Sequence, residues 1–279
     1  MTETATKELK DADISDINEK VYAKLGICGK INDIIGTQIF GILKLYARVI
    51  FYPLGENAPW GFTRIKGKDS TSSSSPFVAI NTSIPKDCQV FAAAHELYHI
   101  WYDPTLNMIP SNVLKNGDVS YNERKANRFA AEFLIEEKLL KQELFVRGIN
   151  VDKVGIKDVL CLSDLFTVPY VAMVKRLNEI HFLSDDMKEE LLAIEDKHLK
   201  KFRKRYSFSE PEADGRVVMD NLTDLSAEAY EKGYITFERL EYLLSLCDTS
   251  PEEIGLSAPQ QFDPPSDEEL DELLGEQDA

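Results

Sequence analysis

Two histidines and a glutamate stand close together in Phe91-Ala-Ala-Ala-His95-Glu96-Leu97-Tyr98-His99-Ile100-Trp101. Residues four apart share one face of a helix, so both imidazoles can reach a single metal ion. Glu96 lies one position round from His95 and can reach a water on that ion, where a carboxylate can serve as general base. Val90, Ala94, Leu97 and Trp101 form the adjacent stripe, which would bury the helix and hold the ligands still. The bland alternative is two unrelated histidines with a glutamate between them by chance. HExxH arises that way in roughly one chain in a hundred of this length. Two of the four histidines fall in it, which favours the metal.

Two histidines do not complete a catalytic site, because catalytic zinc usually takes three protein ligands and leaves one position for water. Ser120-Tyr-Asn-Glu123-Arg-Lys-Ala126-Asn127-Arg-Phe129-Ala130-Ala131-Glu132-Phe133-Leu134 offers candidates. Glu123 and Asn127 share a helix face, and Ala126 and Ala130 would let a second helix approach closely. Glu123 could bind the ion while the Asn127 amide orients a ligand histidine. Ser120-x-x-Glu123 is also a capping box, in which Glu123 would fold back onto the backbone. Glu132 and Asp103 are the other rivals for the third position.

The elements that must position these residues read as α+β. Residues 17–46 carry a helical period through Ile31, Ile34, Ile35, Ile39, Leu43 and Tyr46, weakened by Gly36 and Gly41. Ala47-Arg-Val-Ile-Phe-Tyr52 is strand-like, Trp60 to Ile65 could be a second strand, and Ser70 to Ser75 is a polar loop. Phe77-Val-Ala-Ile-Asn81 resumes strand character before a helix that Pro85 opens. From Tyr121 onward the pattern is helical. Residues 158–177 hold a helix, a break and a second helix begun by Pro169, and the polar stretch 206–215 reads as a boundary. Four regions are expected: a core over 1–140, a helical region over 141–205, a small helical extension over 206–258 and a flexible tail over 259–279.

The 279 residues are 43% hydrophobic and 29% charged, the balance of a globular protein rather than a disordered one. Residues 1–16 show none of the regions of a secretory signal, and no apolar run nears the ~20 residues that span a bilayer. A cytoplasmic location is the expectation. Cys28, Cys88, Cys161 and Cys247 are far apart and form no CxxC pair, which argues against a disulfide framework or a cysteine-bound metal. Net charge is −16, and residues 258–279 hold eight acidic residues and no Lys or Arg. Such a balance disfavours non-specific nucleic-acid binding. The basic run Lys197, Lys200, Lys201, Arg203, Lys204 and Arg205 reads as a solvated helix end.

HELYH followed by ERKANRFAAEFL resembles the ImmA/IrrE-type metallopeptidases of bacteria and their mobile elements. That family pairs an HExxH helix with an ExxAN-x-FA helix. The likeness takes in the strand Phe77–Asn81 and extends loosely to about Arg205. Tyr98 departs from it, standing where the family commonly has Gly. The resemblance implies a zincin-like core, a small sheet packed on the HExxH helix, followed by a helix-turn-helix-like region. It also implies one zinc per chain held by His95, His99 and Glu123, with Glu96 catalytic. The expected activity is an endopeptidase acting on a helix-turn-helix repressor of a phage, mobile element or stress response.

Leu162 to Leu177 fits the helix-turn-helix unit by pattern. Its would-be recognition helix begins Pro169, Tyr170, Val171, Ala172, with no side chain suited to reading base edges, so docking or a structural role is expected over DNA reading. The oxyanion of a cleaved amide needs a donor besides the metal, and Tyr98, Tyr102, Tyr121 and His181 are candidates. A substrate segment could add to the strand Phe77, Val78, Ala79, Ile80, Asn81. Two readings compete with the peptidase: a zinc-binding interaction module of toxin or antitoxin type with little turnover, and a DNA-binding regulator.

Overall fold

The computed structural model describes residues 8–64, 76–103, 109–111, 120–219, 221–247 and 249–258. They fall into two compact units, 1–220 and 221–279. The expected loop Ser70–Ser75 and the acidic tail 259–279 lie outside the described residues.

The first unit opens with α1 (Asp11–Ile27) and α2 (Ile39–Tyr46), not the single helical stretch that the periodicity over 17–46 suggests. The reason is a left-handed stop. Gly29, at φ +64°, lets the amide of Lys30 return to the carbonyl of Leu25 at 2.8 Å and its own amide to that of Gly26 at 3.2 Å, which closes α1. A short 3-10 turn at Gly36–Gln38 then leads into α2.

The strands are β1 (Arg48–Tyr52), β2 (Gly61–Arg64), β3 (Phe77–Asn81), β4 (Ile109–Ser111) and β5 (Val218–Met219), in the order β4-β2-β3-β1-β5. β1 runs parallel to β3 with Arg48 opposite Phe77 and Tyr52 opposite Asn81. β2 is antiparallel to β3, Gly61 facing Ile80 and Arg64 facing Phe77. β4 extends the sheet antiparallel to β2, and β5 antiparallel to β1. The middle of the sheet is therefore β3, which corrects the expectation that Phe77, Val78, Ala79, Ile80 and Asn81 could receive a substrate strand. Both of its edges are already paired. Asn81 has a further task at the end of this strand. Its buried amide accepts from Leu54 and Ser83 and donates to the carbonyls of Gly55 and Pro59, locking the loop between β1 and β2.

α3 (Lys86–Tyr102) follows with Pro85 at its N-cap, and every residue from Gln89 to His99 is buried. A helix buried all round belongs between layers. α3 packs on β2 and β3 on one side and on α2 and α4 (Tyr121–Leu134) on the others. α5 (Glu137–Val146), α6 (Ile156–Phe166), α7 (Tyr170–Glu179), α8 (Asp185–Leu192) and α9 (Asp196–Arg205) complete the helical part. One apolar core runs from Ile17 in α1 to Leu191 in α8, so the region after residue 140 is not a separate body.

The stretch expected as a boundary, 206–215, instead returns to the sheet. The amide of Gly215 bonds the carbonyl of Thr82 at 3.1 Å, the Thr82 hydroxyl bonds Arg216 at 2.9 Å, and β5 follows. Arg216 lies over the rings of Phe51 and Phe40, at 4.0 and 4.8 Å from their centroids. In the second unit α10 (Leu222–Glu231) packs on α11 (Phe237–Ser245), whose Leu240 and Leu244 are buried. No helix among the described residues is long and apolar enough to cross a membrane.

Candidate metal centre

α3 and α4 meet face to face because Ala126 and Ala130 of α4 leave room at the crossing. An aromatic wedge fixes their angle. Tyr98 meets Phe129 at 5.6 Å between centroids, Trp101 meets Phe133 at 5.8 Å, and Phe129 stacks on Phe133 at 5.4 Å. Lys24 of α1 lies 4.4 Å above the Trp101 ring and covers the wedge.

That crossing brings His95, His99 and Glu123 together in the interior, all three buried. His95 Nε2 lies 3.1 Å from His99 Nε2 and 3.1 Å from Glu123 Oε2, and His99 Nε2 lies 3.3 Å from Glu123 Oε1. Ligands about 2.0–2.1 Å from a tetrahedral zinc ion are about 3.3 Å apart, so these donors already stand at the right separation. The other nitrogen of His95 decides the polarity of the group. Nδ1 donates to Asn127 Oδ1 at 2.9 Å, which turns the lone pair of Nε2 toward His99 and Glu123. A buried lone pair facing a carboxylate needs a cation or a proton between them. Glu123 Oε1 faces His99 Nε2 in the same way. The residues fit a divalent ion with nitrogen and oxygen preference.

The electrostatics show what the ion would displace. Burial acts on Glu123 to raise its pKa, but hydrogen bonds from His95 and His99 outweigh it and hold the carboxyl at about 2. Burial acts on His99 to lower its pKa, while the hydrogen bond to Glu123 and the charges of Glu96, Glu123 and Asp103 outweigh it and raise it. His99 therefore holds its proton more tightly than an ordinary histidine, and a metal ion would have to displace it.

Glu96 follows His95 and is fully buried against β2. Thr63 Oγ1 donates to its Oε2 at 2.7 Å. A Cβ on Gly61 would lie 3.1 Å from Glu96 Oε1 and 3.2 Å from the carbonyl of Ala79, so only glycine fits there without displacement. The sequence reading missed both residues. Strand alternation puts Gly61 and Thr63 on one face, yet nothing in the sequence says that this face covers α3.

The rivals for the third ligand have other partners. Glu132 is buried between Arg128 at 2.5 Å and Arg176 at 3.4 Å, with burial raising its pKa against the pull of both arginines. Asp103 Oδ2 stands 3.5 Å from His99 Nδ1, on the far side of the ring from the triad. The Ser120 hydroxyl accepts from the amide of Glu123 at 3.3 Å, and the Glu123 carboxylate points to the histidines rather than back to the cap. The oxyanion candidates are dispersed. The Tyr98 hydroxyl faces Asn122 Oδ1 at 3.5 Å, that of Tyr102 donates to the carbonyl of Lys20 at 3.3 Å, and that of Tyr121 donates to Asp13. His181 is exposed on the turn after α7, at φ +59°. The structure brings none of the four into hydrogen-bond contact with the triad among the described residues.

Residues 47–178 match the family model of the IrrE N-terminal-like domain, the M78 peptidases. Over this stretch the chain is similar to that family. The IrrE-like segment runs from the start of β1 into α7, so it contains β2, the three triad residues, Glu96 and Asn127. No curated protein matches the chain as a relative. In the IrrE-like segment the HExxH helix and the glutamate helix are the two elements whose crossing builds the buried group.

Proposed function

We propose that the chain is a cytoplasmic zinc-dependent endopeptidase acting on a regulatory protein of the helix-turn-helix repressor type. One observation carries the peptidase reading: a buried His-His-Glu group spaced for one ion has Glu96 beside it, its carboxylate held by Thr63. A zinc site that only stabilised the fold would need no carboxylate fixed at that place. His95, His99 and Glu123 would hold the ion, one per chain. The chemistry zinc supplies when bound is polarisation of a carbonyl and activation of water.

The chain's own residues do the rest. Asn127 keeps the His95 tautomer correct for coordination. Glu96 takes the proton from the attacking water and later delivers it to the leaving amine. The triad lies in the interior between α3 and α4, so a substrate must reach it as an extended stretch, which favours a locally unfolded segment of the target.

The DNA-binding alternative is weakened by α7 itself. Tyr170, Ala172 and Met173, at the start of the would-be recognition helix, are buried in the core of the first unit. The test is metal analysis with incubation of wild type and Glu96→Gln against purified repressors. Zinc in both proteins with cleavage by wild type alone supports the proposal. Equal cleavage by Glu96→Gln would refute the role of Glu96, and zinc binding without any cleavage would favour an interaction module.

A further inference from the structure

We infer that Thr63 is a positioning residue for the general base, acting through Glu96, an inference that rests on the peptidase reading above. Glu96 is buried with no water-exposed surface, so the orientation of its carboxylate is set by protein groups alone. Thr63 is also fully buried, and its hydroxyl reaches Glu96 Oε2 at 2.7 Å from a different layer of the fold, β2 rather than α3. Two residues earlier on the same face, Gly61 leaves the space that Oε1 occupies. β2 thus forms a cradle: one position supplies a donor, and the other supplies absence of bulk. The register that sets it is fixed by the pairing of Gly61 with Ile80 and of Thr63 with Val78.

A hydrogen bond to an ionised carboxylate is short and stronger than a neutral one, and it restricts rotation about the last side-chain bond. General-base catalysis depends on geometry before basicity, so a carboxylate free to rotate transfers the proton less often. Valine preserves the shape of threonine and removes the hydroxyl, whereas serine preserves the hydroxyl and removes the methyl. A packing role is kept by valine and damaged by serine. A positioning role shows the reverse order.

The experiment uses the zinc-loaded full chain with wild type, Thr63→Val, Thr63→Ser, Glu96→Gln and the double variant Thr63→Val/Glu96→Gln. Binding of acetohydroxamate, which chelates zinc and donates a hydrogen bond to a neighbouring carboxylate, is measured by calorimetry alongside turnover. Thr63→Val should weaken acetohydroxamate about tenfold, and the double variant should be no weaker than Glu96→Gln alone. On a cleaved repressor, Thr63→Val should lower kcat about 10- to 100-fold with KM little changed, and Thr63→Ser should restore most of the turnover.

Additive losses in the double variant would overturn the inference, as would wild-type kcat in Thr63→Val or equal damage in Thr63→Ser. Should Thr63→Val fail to fold, Thr63→Ala supplies the second hydroxyl-free variant with the same expected losses. Turnover retained in Glu96→Gln would defeat the role of Glu96 on which the inference rests, whereas no cleavage by the zinc-loaded wild type would defeat the peptidase reading itself. A loss confined to Glu96→Gln, with Thr63→Val at wild-type level, would defeat only the role of Thr63.

Discussion

The buried triad behaves as a proton trap when no ion is bound, and that property gives it a pH signature. Glu123 titrates at about 2, below its ordinary value, so its contribution to metal-free stability is present above about pH 4.5 and lost as pH falls toward 2. His99 titrates above its ordinary value, so its contribution is fully present below about pH 6.5 and lost as pH rises through the raised value. Above that point the metal-free site holds the Glu123 carboxylate against a neutral His99. Zinc then has no proton to displace, so the stabilisation it gives should grow as pH rises from about 6.5 through the raised His99 value. Paired melting curves with zinc and with chelator check this, and a constant difference would contradict it. Asn127 acts on the same ion through His95. Asn127→Leu should weaken zinc about 10- to 100-fold in a chelator competition while leaving the fold intact. His95, Glu96 and His99 were legible in the sequence from helical spacing, and Glu123 with Asn127 from spacing together with the resemblance to the ImmA/IrrE-type peptidases. Thr63 and Gly61 were not, because their contact with Glu96 depends on how a strand crosses a helix distant in the chain.

Elements, rather than single contacts, decide where the triad sits. α4 carries Glu123 at its start and Glu132 near its end, and Arg176 of α7 bonds both Glu132 and the carbonyl of Ile135. The buried cluster ties the helical region to the metal helix. Arg176→Met should destabilise the protein by about 2–4 kcal/mol, below the usual cost of breaking a buried pair because Arg128 still neutralises Glu132. Chemical denaturation measures it, and a change within about 0.5 kcal/mol would mean that the cluster is not structural. The central place of β3 gives a second expectation. Ala79 stands between Ile50 and Phe62, so Ala79→Pro should cost about 3 kcal/mol or more and unfold much of the sheet, not merely impair cleavage. The sequence showed that a strand lies at 77–81 but not its neighbours, since strand order follows from long-range pairing that no local pattern records. The two-residue β5 was invisible for the same reason. The early helical period was readable, while its interruption at Gly29 required seeing one glycine as a left-handed cap.

At the scale of the whole molecule, the first unit contains the entire candidate centre, its sheet and a continuous core. A chain ending at residue 220 should therefore still bind one zinc and melt cooperatively, which metal analysis and calorimetry on the truncated protein would show. Loss of zinc from that truncation would place a necessary element in residues 221–279. The net charge of −16 and the buried start of α7 point the same way on nucleic acid. No duplex should be shifted at about 0.15 M salt in an electrophoretic assay. The α+β class and the IrrE-like core could be read from the sequence, because two helices with distinctive motifs carry them. The extent of the first unit could not, since the polar stretch 206–215 has the composition of a linker and is held to the sheet by backbone bonds.

In the proposed function His95, His99 and Glu123 form one catalytic zinc centre. Zinc-edge X-ray absorption on the purified protein tests it directly. The prediction is a nitrogen and oxygen shell at about 2.0–2.1 Å with two imidazoles, lost in Glu123→Ala, and no sulfur. A sulfur shell at about 2.3 Å, or zinc unchanged in a His95→Ala/His99→Ala protein, would contradict it.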